Sequence, residues 1–217
     1  MLKIRLQKFL SQAGVASRRG SEDLISSAKV LINNKIAVLG DKIDPEKDQV
    51  KVDGRIIQPN QQLVYYAVNK PVGYTSSVRD VNARHLITEL VPSDPKVWPV
   101  GRLDKDSCGL IILTNDGELT NQLTHPRFQH QKNYQIKIQI TNNKLQINLK
   151  SQIQKLRKKI RLTEGWTKFD GLGIIEINQE RNIATLSVIL HQGWKRQIRR
   201  MCEKVGFRVI ELKRTKI

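Results

Sequence analysis

The sequence predicts an α+β protein with a small N-terminal domain and a larger C-terminal one. Residues 1–58 show two helical patterns followed by short apolar runs. Residues 64–217 are dominated by alternating or wholly apolar runs between turns, which are typical of strands. Between these regions Pro59-Asn60-Gln61-Gln62 is polar, so we predict a linker at residues 59–63. A hydrophobic content of 39% over 217 residues is sufficient for ordinary cores.

The net charge indicates the class of partner. The chain carries 38 Lys and Arg against 20 Asp and Glu, a formal charge of +18. This excess favours a polyanion, because each neutralised phosphate releases counterions. Residues 1–58 carry a net +4 and residues 59–217 a net +14, so the larger domain is expected to have an RNA groove of its own. With 3 Trp, 4 Tyr and 4 Phe, any base stacking must come from one or two rings.

Several classes of function are not expected. Cys108 and Cys202 have no metal-like spacing, and neither do the four histidines, so we expect no metal. The sequence also lacks a nucleotide-binding glycine loop, so we expect no cofactor. Cys202 lies on the apolar side of a predicted helix and is expected in the core. No apolar run approaches the ~20 residues of a membrane span. Because a domain-like pattern begins within the first six residues, we expect no cleavable leader. We expect the protein to be a monomer in the cytosol or in an organelle matrix.

The first domain is predicted to begin with two helices. Apolar residues recur at helical spacing from Leu6, and Gly14 ends the pattern. Ser17 suits the N-cap of a second helix, which would bury Ile25 and Ala28. Residues 30–38 and 50–57 are predicted to form short strands around a turn at residues 40–41.

The most informative stretch of the larger domain is V-G-R-L-D-K-D-S-C-G-L-I-I-L-T-N-D-G, residues 100–117. Its apolar run Leu110 to Leu113 lies between turns and predicts a buried strand, with Asp104 in the loop that leads into it. From spacing alone, a turn cap or an ion pair with Arg102 is the commoner explanation of such an aspartate.

The remaining elements of the larger domain are predicted from periodicity. The predicted strands are residues 63–68, 135–140, 171–179 and 183–190. The predicted helices are residues 81–90, 118–124, 143–159 and 193–205. The basic run K-L-R-K-K-I-R-L, residues 155–162, is typical of a solvated face and could also contact RNA.

Residues 1–58 resemble the alpha-L RNA-binding module, the S4-like domain first seen in a ribosomal small-subunit protein. The resemblance lies in R-L-Q-K-F-L, A-G-V-A-S-R-R, I-N-N-K-I-A, G-D-K-I and V-D-G-R, while S-A-K at residues 27–29 departs from the usual glycine. It implies that one polar set faces RNA phosphates, which position an RNA without reading its sequence. That set is Arg5, Lys8, Ser17, Arg18, Arg19 and Lys35. Each residue alone could equally be a solvated surface residue.

Residues 101–117 resemble the catalytic motif of ribosomal RNA pseudouridine synthases of the RsuA/RluB type. Three further landmarks agree with it: N-K-P-x-G at residues 69–73, H-P-R followed by K-x-Y at 125–134, and G-x-x-R-Q-I-R-R-M at 193–201. The resemblance implies a catalytic domain built on a mixed, largely antiparallel sheet with flanking helices. It also implies conversion of a uridine in ribosomal RNA, more often of the large subunit, to pseudouridine without cofactor or metal. The partner would be ribosomal RNA or a ribosome assembly intermediate.

The resemblance also assigns roles to single residues. Asp104 would act on the sugar, as nucleophile at C1′ or as base at C2′, and Tyr134 would lie against the target base. Arg199 would fix and ionise Asp104 through an ion pair. The proposed substrate-binding residues are Lys70, Arg102, Val188, Leu190, Arg196 and Arg200. Val188 and Leu190 share one strand face and could equally be core residues.

Alternatives remain at this stage. Asp106 suggests a paired-carboxylate hydrolase, but two positions in a tight loop give no assurance of opposed carboxylates. A non-catalytic RNA-binding or ribosome-assembly protein would explain the charge, but not why Asp104, Tyr134 and Arg199 all match. A synthase acting on transfer RNA, or on both RNA classes, is the third alternative.

Overall fold

The computed structural model describes residues 3–58, 62–140 and 149–217. The chain forms two compact units. One comprises Met1–Tyr65 with Ser93–Val97 and Thr114–Gly117, and the other comprises the remaining residues. Residues 59–61 of the predicted linker lie outside the described residues. No helix in the described ranges is both long and apolar enough to cross a bilayer.

The first unit packs two short helices against small sheets. Its elements in chain order are β1 (Ile4–Arg5), α1 (Leu6–Gln12), α2 (Arg18–Ser26), β2 (Val30–Ile32), β3 (Lys35–Ile36), β4 (Lys42–Ile43), β5 (Val50–Val52) and β6 (Arg55–Ile57). Strands β3-β2-β5-β6 form an antiparallel sheet, and β1 pairs with β4. The helices bury Leu6, Phe9, Leu10 and Ile25 against the strands.

The turn between the two helices has the backbone conformation and the N-cap that its sequence predicts. Gly14 adopts a φ of 75°, in the left-handed region that favours glycine. The Ser17 Oγ accepts the Gly20 amide at 3.1 Å, which confirms the predicted N-cap. The predicted burial of Ala28 is wrong: it follows the helix end with a φ of 56°, so its methyl group leaves the helical stripe and is exposed.

The second unit is built on one mixed sheet. The strands of this unit are β7 (Tyr65–Lys70), β8 (Trp98–Pro99), β9 (Cys108–Thr114), β10 (Lys132–Ile140), β11 (Ile160–Leu162), β12 (Gly165–Thr167), β13 (Gly171–Asn178), β14 (Ile183–Leu190) and β15 (Phe207–Lys216), of which β11 and β12 form a separate two-stranded sheet. Its α-helices are α3 (Gly117–Thr124), α4 (Leu149–Lys155) and α5 (Gln197–Lys204). Within the described residues the strand order is β13-β14-β10-β15-β9-β7, with β8 also on β9. The pairs that involve β10 and β14 are antiparallel and β9–β15 is parallel, so the predicted fold class is confirmed.

The core of this unit lies on one face of the sheet. Alternate residues of β14 are buried, as the period of a half-covered strand requires. Helix α5 buries Ile198, Met201 and Cys202 in the same core. Cys202 is therefore a core residue as predicted, and burial raises the pKa of its thiol to about 12.

Three predicted helices are shorter than their patterns suggested. Of residues 81–90, Ile87–Leu90 form a single 3-10 turn, because the Asp80 carboxylate draws the preceding backbone into a separate turn. Of residues 143–159, the first six lie outside the described residues, and the chain leaves α4 after Lys155 to start β11. Of residues 193–205, the first four form a loop, in which the Gln197 Oε1 accepts the Trp194 amide at 3.1 Å.

Candidate active site

The Asp104 turn, residues 103–107, is held by the backbone on both sides of Asp104. The Ser107 amide donates to the Asp104 carbonyl at 3.0 Å. The buried Ser76 hydroxyl donates to the Leu103 carbonyl at 2.8 Å and accepts the Leu103 amide at 3.1 Å. Within the described residues the Asp104 carboxylate receives no hydrogen bond, and it is partly exposed. A fixed backbone with an uncommitted carboxylate suits a group that must meet a substrate atom.

Lys70 supports this turn from behind. Its side chain is 0% exposed, and its Nζ donates to the carbonyls of Pro71 at 2.9 Å and Tyr74 at 2.8 Å. The turn thus formed presents the Gly73 amide, which donates to the Lys105 carbonyl at 2.8 Å. Burial lowers the pKa of Lys70, although negative groups near it, Asp104 included, oppose the shift. Lys70 is therefore neither a surface lysine nor a substrate ligand, and that assignment is corrected.

The Asp106 carboxylate pairs with two arginines, Arg196 in the loop before α5 and Arg199 within α5. Arg196 forms a bidentate pair with it, with nitrogen–oxygen distances of 3.0 and 2.8 Å. The Arg199 Nε lies 3.4 Å from the Asp106 Oδ2. The Arg199 Nη2 also donates to the Asp106 carbonyl at 2.8 Å and to the Ser107 Oγ at 3.2 Å. Helix α5 is thereby fastened to the Asp104 turn.

These contacts correct two assignments. Arg199 does not form the predicted ion pair with Asp104; its carboxylate partner is Asp106, and Asp104 acts on it only through space. Arg196 is not a free phosphate clamp, because both of its terminal nitrogens already bind Asp106. Partial burial of Asp106 opposes its ionisation, but the hydrogen bond from Arg196 and the charge of Arg199 hold its pKa below the ordinary value.

Arg200 is likewise engaged. It forms a bidentate pair with Glu164 at 2.9 and 2.7 Å and donates to the Thr163 Oγ1 at 3.0 Å. The hydrogen bonds from Arg200 lower the pKa of Glu164 to about 2. The predicted clamp role of Arg200 is therefore corrected to an anchor between α5 and the turn that joins β11 to β12.

Tyr134 lies at the start of β10, opposite Val188 on β14 and Arg214 on β15. Its half-buried ring packs against the core, and the charge of Arg214 acts on its hydroxyl. Burial raises the pKa of Tyr134, Arg214 opposes this shift, and the charge of Asp104 adds to it. The phenol is therefore neutral at physiological pH, and Asp104 lies within electrostatic range of it.

Arg214 was missed by sequence reasoning. It is only 2% exposed, its Nε donates to the Leu110 carbonyl at 2.6 Å, and its Nη2 is buried without a hydrogen-bond partner among the described residues. A signal existed, since Arg214 is two positions from the buried Leu212 on one strand and so faces inward. A buried arginine beside Tyr134 and the end of β9 belongs to the same site.

Gly109 permits this arrangement. It adopts a φ of 106° where β9 pairs in parallel with β15, and an added Cβ would collide with the Arg214 carbonyl oxygen. A side chain at Gly109 would therefore force apart the two strands that bring Arg214 to the Asp104 turn.

Val188 and Leu190 belong to the core. They are 0% and 2% exposed and lie in the cluster that packs under α5. Neither side chain reaches a surface that a base could touch, so their assignment to substrate binding is corrected. Arg102, in contrast, is exposed next to the Asp104 turn.

Five of the six proposed RNA-binding residues of the first unit lie at or next to the ends of its elements, and Lys8 is the exception. Arg18 and Arg19 are exposed at the start of α2, and Lys35 is exposed on the edge strand β3. Arg5 donates to the Gly40 carbonyl at 3.2 Å, and Ser17 caps α2 as described above. Lys8 lies on α1 and is partly buried.

Comparison with known proteins agrees with this architecture. The model of the RNA pseudouridylate synthase family matches residues 64–204, and the model of the S4 domain matches residues 4–48. The chain belongs to the RNA pseudouridylate synthase family. This confirms the resemblance seen in the motifs around Asp104 and makes the protein an RNA pseudouridine synthase.

Relatives cover almost the whole chain. Ribosomal large subunit pseudouridine synthase B of Bacillus subtilis (strain 168) is 38% identical over 97% of this chain and 84% of its own length. Dual-specificity RNA pseudouridine synthase RluF of Escherichia coli (strain K12) is 37% identical over 99% of this chain and 70% of its own length. A solved pseudouridylate synthase aligns with a TM-score of 0.60 and 21% identity over 97% of this chain and 87% of that chain, which supports the fold.

Proposed function

We propose that this synthase isomerises a uridine of large-subunit ribosomal RNA to pseudouridine, with Asp104 as the reacting carboxylate. The observation that carries the proposal is the Asp104 turn, where a carboxylate that receives no hydrogen bond from the described residues stands on a backbone fixed by Ser76, Gly73 and Arg199. The choice of ribosomal RNA rests on the name of the Bacillus subtilis relative and on the match to the S4 domain.

The reaction rearranges bonds without gain or loss of atoms. The N1–C1′ bond of the uridine breaks, the uracil rotates within the site, and C5 bonds to C1′. The C5 proton leaves and N1 gains a proton. Asp104 acts on the sugar, through C1′ as nucleophile or through C2′ as base, and either route requires the target nucleotide to leave its stack.

Tyr134 supports the base as a neutral ring. Because burial raises the pKa of its phenol, it contacts uracil as a neutral group rather than as a phenolate base. The charge of Arg214 acts on the phenol, and its Nη2, which has no hydrogen-bond partner within the described residues, is available to a uracil carbonyl. Arg199 and Asp106 act at one remove, since they position the turn that carries Asp104.

RNA is held largely by charge. In the first unit Arg5, Lys8, Ser17, Arg18, Arg19 and Lys35 are proposed to meet phosphates. Arg102 is proposed to hold the strand beside the target, because its exposed guanidinium is next to the Asp104 turn. With ribosomal RNA or a ribosome assembly intermediate as its substrate, the protein is proposed to act as a monomer in the cytoplasm or in an organelle matrix.

The test is chemical mapping of pseudouridine with and without the gene, in ribosomal and transfer RNA. Transfer RNA is included because one relative is named as dual-specific. We expect one large-subunit site to disappear, to return with the wild-type gene, and to stay absent with Asp104→Asn. Asp80→Asn, an exposed loop carboxylate, is the matched control and restores the site. Restoration by Asp104→Asn would refute the assignment, and no change at any site would favour a non-catalytic RNA-binding protein.

A further inference from the structure

One surface of the larger unit combines dense positive charge with an exposed tryptophan. We call it the basic hairpin, residues 155–168, which comprises the end of α4 and strands β11 and β12. Six of its side chains are basic and exposed, namely Lys155, Arg157, Lys158, Lys159, Arg161 and Lys168. Its one acidic residue, Glu164, is paired with Arg200, so it does not offset this surface charge for a ligand.

Trp166 stands among these charges. Its side chain is 61% exposed, whereas Trp98 and Trp194 are both partly buried. In the hairpin register Trp166 lies directly opposite Arg161, so the ring and the guanidinium share the outer face. Proteins that bind single-stranded nucleic acid commonly place an aromatic ring, on which a base stacks, beside cations that bind the phosphates.

The hairpin is a firm platform for this ring. Ile160 and Leu162 alternate with Arg161 and are buried in the core beneath it. Thr167, next to Trp166, is also buried; its Oγ1 donates to the Gln192 Oε1 and accepts from the Gln197 Nε2, both at 2.8 Å. The outward direction of Trp166 is therefore set by inward neighbours on both strands.

Helix α5 joins the hairpin to the Asp104 turn. Arg196, in the loop directly before α5, holds Asp106, and Arg200, in the first turn of α5, holds Glu164. The Arg200 amide donates to the Arg196 carbonyl at 3.0 Å, so the two residues are one helical turn apart. An RNA strand with its target base at Asp104 would therefore pass the hairpin within a short distance.

We propose that the basic hairpin binds the single-stranded RNA next to the target uridine. Trp166 stacks on an unpaired base, and Arg161 with its basic neighbours binds the adjoining phosphates. This inference rests on the proposed function for the nature of the RNA. It adds a recognition surface that lies outside the Asp104 turn and outside the first unit.

The experiment uses the full chain with a short oligouridylate and an RNA duplex of equal length. Binding of the oligouridylate should quench the tryptophan fluorescence of the wild type, and Trp166→Phe should bind almost as well. Trp166→Ala should lose that quench and bind oligouridylate about tenfold more weakly, ~1.4 kcal/mol, with a smaller effect on the duplex, because the variant loses a stacked base. Turnover on ribosomal RNA should show a raised KM with kcat retained.

Charge is tested with a matched pair. Arg161→Ala should lower the slope of log affinity against log salt concentration by about the amount expected for one phosphate contact. Arg181→Ala, an exposed arginine in the turn between β13 and β14, is the control and should leave it unchanged.

Three outcomes separate the possibilities. Unchanged affinity, quench and KM in Trp166→Ala, while Asp104→Asn stays inactive, would overturn the hairpin proposal and leave the proposed function intact. Lost quench and affinity in a protein that modifies no RNA would support the hairpin and remove the proposed function. A loss of self-association in Trp166→Ala, with RNA binding unaffected, would identify this face as a contact between copies and overturn the proposal.

Discussion

Asp106→Asn is the substitution that distinguishes the observed site from the one expected from sequence. The change removes one negative charge and leaves a side chain of almost equal shape. In the structure this charge serves both Arg196 and Arg199, which fasten α5 to the Asp104 turn. If Arg199 were instead paired with Asp104, the loss of Asp106 would matter little.

The size of the expected loss of stability follows from how exposed the paired side chains are. The Asp106 and Arg196 side chains are both 44% exposed, so that pair contributes only ~0.2–1 kcal/mol to stability. Arg199 is 13% exposed, and removal of its charged acceptor brings the total loss to about 1–3 kcal/mol. We expect the melting temperature to fall by ~2–4 °C per kcal/mol. A displacement of the Asp104 turn of ~1 Å would lower kcat by about 10- to 100-fold.

The assay measures kcat, KM and RNA affinity with ribosomal RNA, together with thermal unfolding. We expect kcat to fall while affinity stays within about threefold of wild type, since the turn, and not the RNA surface, is disturbed. Glu211→Gln is the control, an exposed carboxylate paired with Lys137 at 3.4 Å that should change neither quantity. Equal loss of affinity and kcat, or an unchanged kcat, would refute the positioning role of Asp106.

The pH dependence gives a second readout. Because the folded-state pKa of Asp106 lies below its ordinary value of 3.8, the carboxylate stabilises the fold above that value. Its contribution is lost as the pH falls through the lower, folded-state pKa. The stability difference between wild type and Asp106→Asn should therefore be constant at neutral pH and shrink only in acid. A difference that varied across neutral pH would implicate another group.

Three further predictions follow from the same contacts. Gly109→Ala should destabilise the protein by about 3 kcal/mol or more in chemical denaturation, because the added Cβ would collide with the Arg214 carbonyl. Lys70→Met should lower kcat more than RNA affinity in turnover and binding assays, because two carbonyls lose the donor that shapes the turn behind Asp104. Arg18→Ala combined with Arg19→Ala should weaken RNA binding and lower its salt slope by about 2 in affinity titrations.

Each of these has a contrary outcome. Gly73→Ala is the control for Gly109→Ala, since Gly73 also has a positive φ but no atom near the added Cβ, and equal losses in the two would exclude the collision. Loss of RNA affinity in step with kcat would return Lys70 to the role of a substrate ligand. An unchanged salt slope in the double arginine variant would exclude phosphate contacts at the start of α2.

The part of the fold that was predictable is local. The hairpin β13–β14, the helix α3 and the N-cap at Ser17 depend on residues close together in sequence, and the structure confirms them. Helix α4 was overestimated at its end: the prediction ran to residue 159, whereas the helix ends at Lys155 and the chain turns into β11, where Ile160 and Leu162 are buried by tertiary packing.

The sequence by itself determined the class of protein and predicted the position of its candidate active site. A long motif around Asp104, the basic excess and the N-terminal pattern were sufficient for this prediction, because turns, strand periodicity and charge depend on residues that are close together in sequence. Only the tertiary structure decided the partners. Arg199 meets Asp106 instead of Asp104, Lys70 is buried behind the turn, and Arg214 reaches Tyr134. These pairings join positions dozens of residues apart, and burial with strand register, which no local pattern records, determines which charges meet.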